Sequence, residues 1–277
     1  MKRKALLLAA CLPFLTAAGA WVTGGGGSAD TLRDTDRRWG LCEVNSTGAG
    51  HLGPVGGQLA AGQESGFGVG GGSAACGYAD GNGVGTLSGG PALTNGTRMF
   101  VSYTTAATSG SFGSWSSNQG NNDTRALYEP IAVFVVHSGA TSTAAVWWFG
   151  LNESLNLANL APSNAQATAI DHAAVSFSAA TSSAWRCCSG DGTNASCADI
   201  TGSTWTANTE YKVAVDLRTA GETRCCVKDI GAGSEWCATK TTNQPAASVD
   251  LGLIAGVKTT AAGAKTVSVN RMFLEQN

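Results

Sequence analysis

The sequence predicts an all-β fold, a two-sheet antiparallel jelly-roll sandwich with a Gly-rich N-terminal extension. Three observations carry that prediction. From Arg98 onward apolar residues recur with a period of two, in about ten short runs. Clusters of Gly, Ser, Asn and Asp separate those runs. No stretch after residue 20 shows a convincing helical stripe; 155–169 comes nearest and is interrupted by Pro162.

The chain opens with Met1-Lys2-Arg3-Lys4, an apolar run from Ala5 to Thr16, and Ala18-Gly19-Ala20. A basic start, a short apolar core and a small-x-small site make a secretory leader over 1–20, and the run is too short to span a bilayer. Leu8-Ala9-Ala10-Cys11 also fits a lipoprotein box, which ranks second because so little apolar chain precedes Cys11. Retention of 1–20 as a buried or interface segment is the third alternative.

Residues 21–38 form a linker containing Gly24-Gly25-Gly26-Gly27-Ser28. The sandwich is expected over 39–277, and its Gly-rich part, 39–97, reads as short irregular strands and loops. Strands are expected at 98–104, 131–137, 145–151, 173–178 and 183–188, then at 211–217, 223–228, 235–240, 250–257 and 265–274. The clearest is Tyr211–Leu217, which alternates an apolar face with a mostly polar one.

Of the nine cysteines, Cys11 lies in the leader, leaving eight: Cys42, Cys76, Cys187, Cys188, Cys197, Cys225, Cys226 and Cys237. An even number after a leader predicts an oxidised, extracellular framework. Cys188 and Cys197 flank a polar turn, so two antiparallel strands would bring them face to face. Cys225 or Cys226 stands in the same relation to Cys237. Adjacent cysteines on a strand point to opposite faces, so the other member of each doublet must reach elsewhere, one option being the other doublet. Cys42 with Cys76 would staple the Gly-rich part. Spacing leaves the connectivity open. Zinc knuckles would need Cys-x-x-Cys or interspersed His, and neither occurs.

Charge is low and nearly balanced, 17 basic against 19 acidic residues, with no basic run after the leader. This excludes a phosphate-binding nucleic-acid surface and a membrane-surface helix. The motifs of serine hydrolases, zinc proteases, P-loops and dinucleotide folds are all missing. Histidine occurs at His51, His137 and His172 alone. Asp171-His172 with a serine would make a triad, but such a neighbour pair far more commonly serves a strand start. A sandwich glycosidase needs two carboxylates on one face, and the acidic residues after Glu43 are scattered singly. The close pair Asp34 and Asp36 lies near the linker. The expectation is therefore no enzyme, no catalytic residue and no cofactor.

Asp80-Gly81-Asn82-Gly83 and Asp191-Gly192 read as turns rather than calcium loops, with a structural calcium ion assembled from distant loops left open. Trp147 and Trp148 are adjacent on a strand, so one faces the core and the other faces out or into a second layer. Tryptophans in so aromatic-poor a chain are chiefly core anchors; Trp115, Trp148 and Trp205 are the candidates for stacking on a glycan. Asn-x-Ser/Thr triplets begin at Asn45, Asn95, Asn122, Asn152 and Asn194.

Successive motifs carry a family resemblance. They are Gly83-Val84-Gly85-Thr86-Leu87-Ser88-Gly89-Gly90 with Asn95-Gly96-Thr97-Arg98, then Phe149-Gly150-Leu151 and Ala174-Val175-Ser176-Phe177. Trp185-Arg186-Cys187 with Thr201-Gly202, 211–217, 224–228, Pro245 and 265–274 follow in order. From Trp39 on, the chain resembles the concanavalin A-like (laminin-G-like) jelly rolls, particularly the branch seen in bacteriophage structural proteins. Both cysteine doublets exceed that pattern, and a secretory leader is unusual for a virion protein.

The resemblance implies a non-catalytic sandwich used as a surface or adhesion module. The first expectation is a virion-type structural protein (capsid decoration, tail or fibre component) whose partners are copies of itself or neighbouring virion proteins. The second is a secreted bacterial carbohydrate-binding protein contacting surface glycans. A polysaccharide-active enzyme ranks third. Nucleic acid and a membrane span are excluded as partners, and the location is extracellular or on a virion surface.

Overall fold

In the computed structural model, side chains are described for residues 104–116, 124–154, 157, 160 and 170–275. The backbone is also described for strands at 38–44, 50–51, 78–80, 86–89 and 101–103. The leader, the linker, Cys76 and most of the Asp80–Gly83 motif lie outside the described residues.

Seventeen strands and one 3-10 turn follow each other along the described chain, every strand pairing antiparallel. They are β1 (Arg38–Val44), β2 (Gly50–His51), β3 (Tyr78–Asp80), β4 (Thr86–Gly89), β5 (Val101–Thr104), β6 (Phe112–Ser116) and β7 (Thr124–Arg125). After the turn Ala126–Tyr128 come β8 (Ile131–His137), β9 (Ala145–Asn152), β10 (Asp171–Phe177), β11 (Arg186–Asp191) and β12 (Ala195–Asp199). The chain closes with β13 (Glu210–Asp216), β14 (Thr223–Asp229), β15 (Glu235–Lys240), β16 (Asp250–Thr259) and β17 (Thr266–Glu275).

The first sheet runs β15-β14-β13-β8-β17-β1-β2, with β5 and β4 continuing from the other half of β17. The second runs β12-β11-β10-β9-β16-β6-β3, with β7 on the start of β16. The all-β, two-sheet expectation holds. The strand at 98–104 is described only from Val101; β6 and β7 were not expected as strands, and β12 was expected only as the short partner bringing Cys197 opposite Cys188.

Alternation builds the interior. Phe134, Val213, Val215 and Met272 of the first sheet meet Trp147, Phe149, Val175 and Leu253 of the second. Aromatic rings continue through this layer, with Phe177 5.3 Å from Trp185 and Trp185 5.2 Å from Tyr211. The buried Tyr211 hydroxyl donates to Thr204 O at 3.1 Å and accepts from Thr206 N at 2.7 Å, so its polar end is satisfied.

The second sheet departs from simple alternation: β9 and β10 are buried at every position. Its outer face carries a satellite cluster in which Leu157 and Leu160, from the β9–β10 connection, pack with Phe112, Val146, Trp148 and Ile254. Lys258 Nζ donates to Leu160 O at 2.7 Å and ties that connection down. Gly256 makes the close approach feasible, since a Cβ there would lie 2.2 Å from Leu157 Cδ1.

Among the described residues, three disulfides occupy one side of the sandwich. Cys188 opposes Cys197 in the β11–β12 register, Cys226 opposes Cys237 across β14–β15, and both pairs are bonded. The neighbours Cys187 and Cys225 point inward and bond to each other between the sheets. Of the two candidates for Cys237, Cys226 takes it, because Cys225 faces the core.

Candidate functional site

One rim of the sandwich gathers most of the polar chemistry. There β8 begins and β9 ends, β10 leaves its loop, the 191–194 turn follows β11, and the 241–249 segment meets the 3-10 turn Ala126–Tyr128. Leu127 and Tyr128 stand side by side, 50% and 39% exposed, as the exposed large hydrophobics of the described residues. Their placement follows from the local sequence. Pro130 disfavours a helical conformation before it, the turn closes with Glu129 at φ 50°, and β8 starts at Ile131. Leu127 and Tyr128 therefore lie on a turn outside either sheet.

The turn is held from both sides. Leu127 N–H donates to Ala247 O at 3.2 Å. Arg125 Nε donates to Asp250 at 2.6 Å, an ion pair with both side chains about half exposed to solvent.

Three carboxylates converge at this rim, although they are far apart in sequence. Glu153 accepts the Asp171 N–H at 3.0 Å, and the Asp171 carboxylate accepts the Ala246 N–H. Asp191 accepts N–H bonds from Thr193 at 2.9 Å and Asn194 at 2.6 Å. Burial raises the pKa of Asp171, and the neighbouring charges of Glu153 and Asp191 push the same way against the Ala246 bond. The two N–H donors hold Asp191 below the usual carboxylate range. The expectation of singly scattered acids is thus corrected in space. Each of these carboxylates nonetheless closes a turn or a loop with an oxygen that accepts a backbone N–H.

His172 and Asp171 are neighbours on β10 and point to opposite faces, so they do not form a dyad. His172 Nδ1 bonds Ile170 O at 2.8 Å, and the ring lies 5.3 Å from that of Trp148. Burial lowers its pKa to about 4. The neutral ring donates through Nδ1, leaving Nε2 as an acceptor. Gly190 lies against it; a Cβ there would sit 2.2 Å from His172 Cε1. His137 ends β8 and accepts Gly139 N–H at 3.2 Å through Nδ1, a turn-closing contact remote from Asp171.

The tryptophan candidates need correction. Trp115 and Trp148 are 1% and 0% exposed, so neither has a free ring face for a sugar. Trp148 is overlain by the β9–β10 connection and donates its indole N–H to Asn152 Oδ1 at 2.9 Å. Trp205 is half-buried at the opposite rim, stacked on Phe177 at 5.9 Å and 5.6 Å from Trp147. Tyr128 is an exposed aromatic that tryptophan placement does not reveal; the Tyr-Glu-Pro step into an apolar strand is its signal in the sequence.

Asp191-Gly192 is a turn, with Gly192 at φ +75°. Of the glycosylation triplets within the described residues, Asn152 is buried and Asn194 exposed. Among the described residues, one group of three potential metal ligands converges: Cys226, Glu235 and Cys237. Its sulfurs are bonded to each other, so the group does not fit a cation. A groove of about 660 Å³ lies beside it, lined by Asp216, Arg218, Glu222, Arg224 and Cys237. In that groove Arg218 clamps Asp216 with bonds of 3.0 and 2.8 Å.

No helix among the described residues is long and apolar enough to cross a membrane. The three disulfides among the described residues suit an oxidising, extracellular or lumenal compartment.

No protein-family model matches the chain, and no curated protein matches it. Among solved structures it is similar to SO2946 from Shewanella oneidensis MR-1, a protein of unknown function. That likeness has a TM-score of 0.50 at 12% identity, over 92% of this chain and 96% of the other. Winged bean acidic lectin in complex with methyl-alpha-D-galactose gives 0.47 at 8% identity, over 72% of this chain and 92% of the lectin. The Emp47p carbohydrate recognition domain gives 0.47 at 11%, over 91% of this chain and all of that one (100%). At such identities the similarity to SO2946 is one of fold alone.

Proposed function

We propose that this chain is an exported, non-enzymatic surface-binding protein that contacts glycans through the rim bearing Leu127 and Tyr128. The observation that supports this is the exposed Leu127–Tyr128 pair beside the Arg125–Asp250 ion pair. An aromatic face stacks on a sugar ring, while nearby charged and amide groups bond its hydroxyls. The rim carboxylates are occupied with backbone N–H groups, which disfavours acid–base chemistry there.

A glycan array probed with the mature protein and with Tyr128→Ala tests this reading. Binding should be lost in Tyr128→Ala with no change in unfolding midpoint, and kept in Trp205→Ala at the far rim. Binding that survives Tyr128→Ala, or turnover of a polysaccharide, would overturn it.

A second reading is a building piece of a virion surface, packed against copies of itself or neighbouring virion proteins. Its support is the placing of three disulfides, which pin both sheets and both edge strands on one side for durability outside a cell. Closed symmetric assemblies of the purified protein, measured by light scattering, would favour it over a monomeric binder.

A further inference from the structure

The outermost strands on the disulfide side of the sandwich are each stapled to a neighbour, β12 to β11 by Cys188–Cys197 and β15 to β14 by Cys226–Cys237. The staples differ in access. Cys187, Cys188 and Cys225 are 0% exposed, and Cys226 is 3% exposed. Cys197 is half-buried and packs against the satellite cluster on the second sheet. Of the six cysteines in these three disulfides, Cys237 alone is exposed, and it lines the groove of about 660 Å³ together with Arg218, Arg224 and Ala238. Its partner Cys226 sits at the other end of the bond among Ile131, Val133, Ala214 and Phe273. A nucleophile can therefore reach the sulfur of Cys237 but not that of Cys226.

We propose that the Cys226–Cys237 bond is a thiol–disulfide exchange site, and that the groove admits a small-molecule thiolate to Cys237. The thiolate attacks Cys237 Sγ, a new sulfur–sulfur bond forms there, and Cys226 departs as a thiolate. A second thiolate attacks the reagent sulfur of this mixed disulfide and frees Cys237. Two reagent thiols are thereby oxidised to their disulfide, and one protein disulfide is reduced. Neighbouring charge suits both steps. On the outward face Arg224 and Lys228 stand two residues to either side of Cys226, and opposite them across β14–β15 are Thr239 and Glu235. Two cations against one acid offset the apolar surroundings of Cys226, which disfavour its thiolate. In the groove Arg218 neutralises Asp216, and Arg224 is the groove cation next to Cys226 on this face. Opening the bond leaves β15 held by its ladder to β14 and loosens one edge of the sandwich, while the intersheet bond Cys187–Cys225 stays closed. This proposal is independent of the rim reading.

The test exposes the oxidised mature chain to reduced glutathione, blocks free thiols with N-ethylmaleimide and maps the peptides by mass spectrometry. The first products should carry glutathione on Cys237 and maleimide on Cys226, with Cys187, Cys188, Cys197 and Cys225 still bonded. Hydrogen exchange over 235–240 should then rise, with β11 unchanged. Arg224→Gln should slow the exchange about threefold at low salt, the effect of one nearby surface charge. That difference should vanish in concentrated salt. Four outcomes would overturn the proposal. These are glutathione found first on Cys226, first opening at Cys188–Cys197, all three bonds opening together, and a bond that yields to reduced thioredoxin but not to glutathione. Equal rates for Arg224→Gln and the parent would remove Arg224 from it.

Discussion

Cys187 and Cys225 face each other across the interior, and their bond joins β11 of the second sheet to β14 of the first. The other two bonds each join neighbouring strands of one sheet, so this one alone of the three resists separation of the layers. It closes 38 residues of sequence separation. Replacing both cysteines by alanine should lower unfolding stability by about 3–4 kcal/mol on a chain-entropy basis. Urea midpoints of the variant and the parent, both otherwise oxidised, check this. A change no larger than that from removing the short Cys188–Cys197 link would contradict it.

His172 ties stability to pH. The folded imidazole stays neutral to about pH 4, whereas its ordinary value is 6.5. Between those values the unfolded chain binds a proton that the folded chain refuses, so stability falls as pH drops from about 6.5 to 4. The loss at the acid end is about 3 kcal/mol. Asp171, with its raised pKa, pulls the other way by taking up its proton more readily in the folded chain. His172→Gln should flatten the decline in urea midpoint over this window. An unchanged slope would show that the decline arises elsewhere.

Gly150 is a position where one methyl group decides packing. A Cβ there would lie 2.4 Å from both Ala173 O and Ala174 Cβ, with the backbone of β10 unable to retreat without breaking its pairing to β9. Gly150→Ala should cost about 2–3 kcal/mol, the upper part of the range for overpacked cores. Thermal melting against the parent checks the size of the effect.

Trp148 is shielded by Leu157 and by the connection that Lys258 anchors. In Leu157→Asp/Lys258→Ala the indole should become oxidisable by N-bromosuccinimide, read as a mass increase on the Trp148 peptide. In the parent that peptide should stay unmodified. Equal modification of the two proteins would mean that the cover is not what protects the ring.

Legibility from sequence varied with how local the determining physics is. Ile131–His137 and Glu235–Lys240 are strands over the same residues that alternation and turn chemistry indicated. Phe112–Ser116 carries only two large apolar residues among Gly and Ser, and becomes a buried strand because β16 and β3 flank it. Ala195–Asp199 is mostly polar and pairs because Cys197 sits opposite Cys188. Trp148 carried the same local pattern as an exposed aromatic.

From residue order alone came the sheet-forming character of the chain, its turns, the opposed faces of each cysteine doublet and the scarcity of catalytic groups. Period and turn chemistry act over a few neighbouring residues, so they are readable without coordinates. Tertiary contact decided which faces are covered, which cysteine of each doublet looks inward, that Glu153, Asp171 and Asp191 share a rim, and that Tyr128 is exposed where Trp148 is not. Those outcomes depend on which distant strands come to lie side by side, and antiparallel pairing brings together segments that local patterning cannot relate.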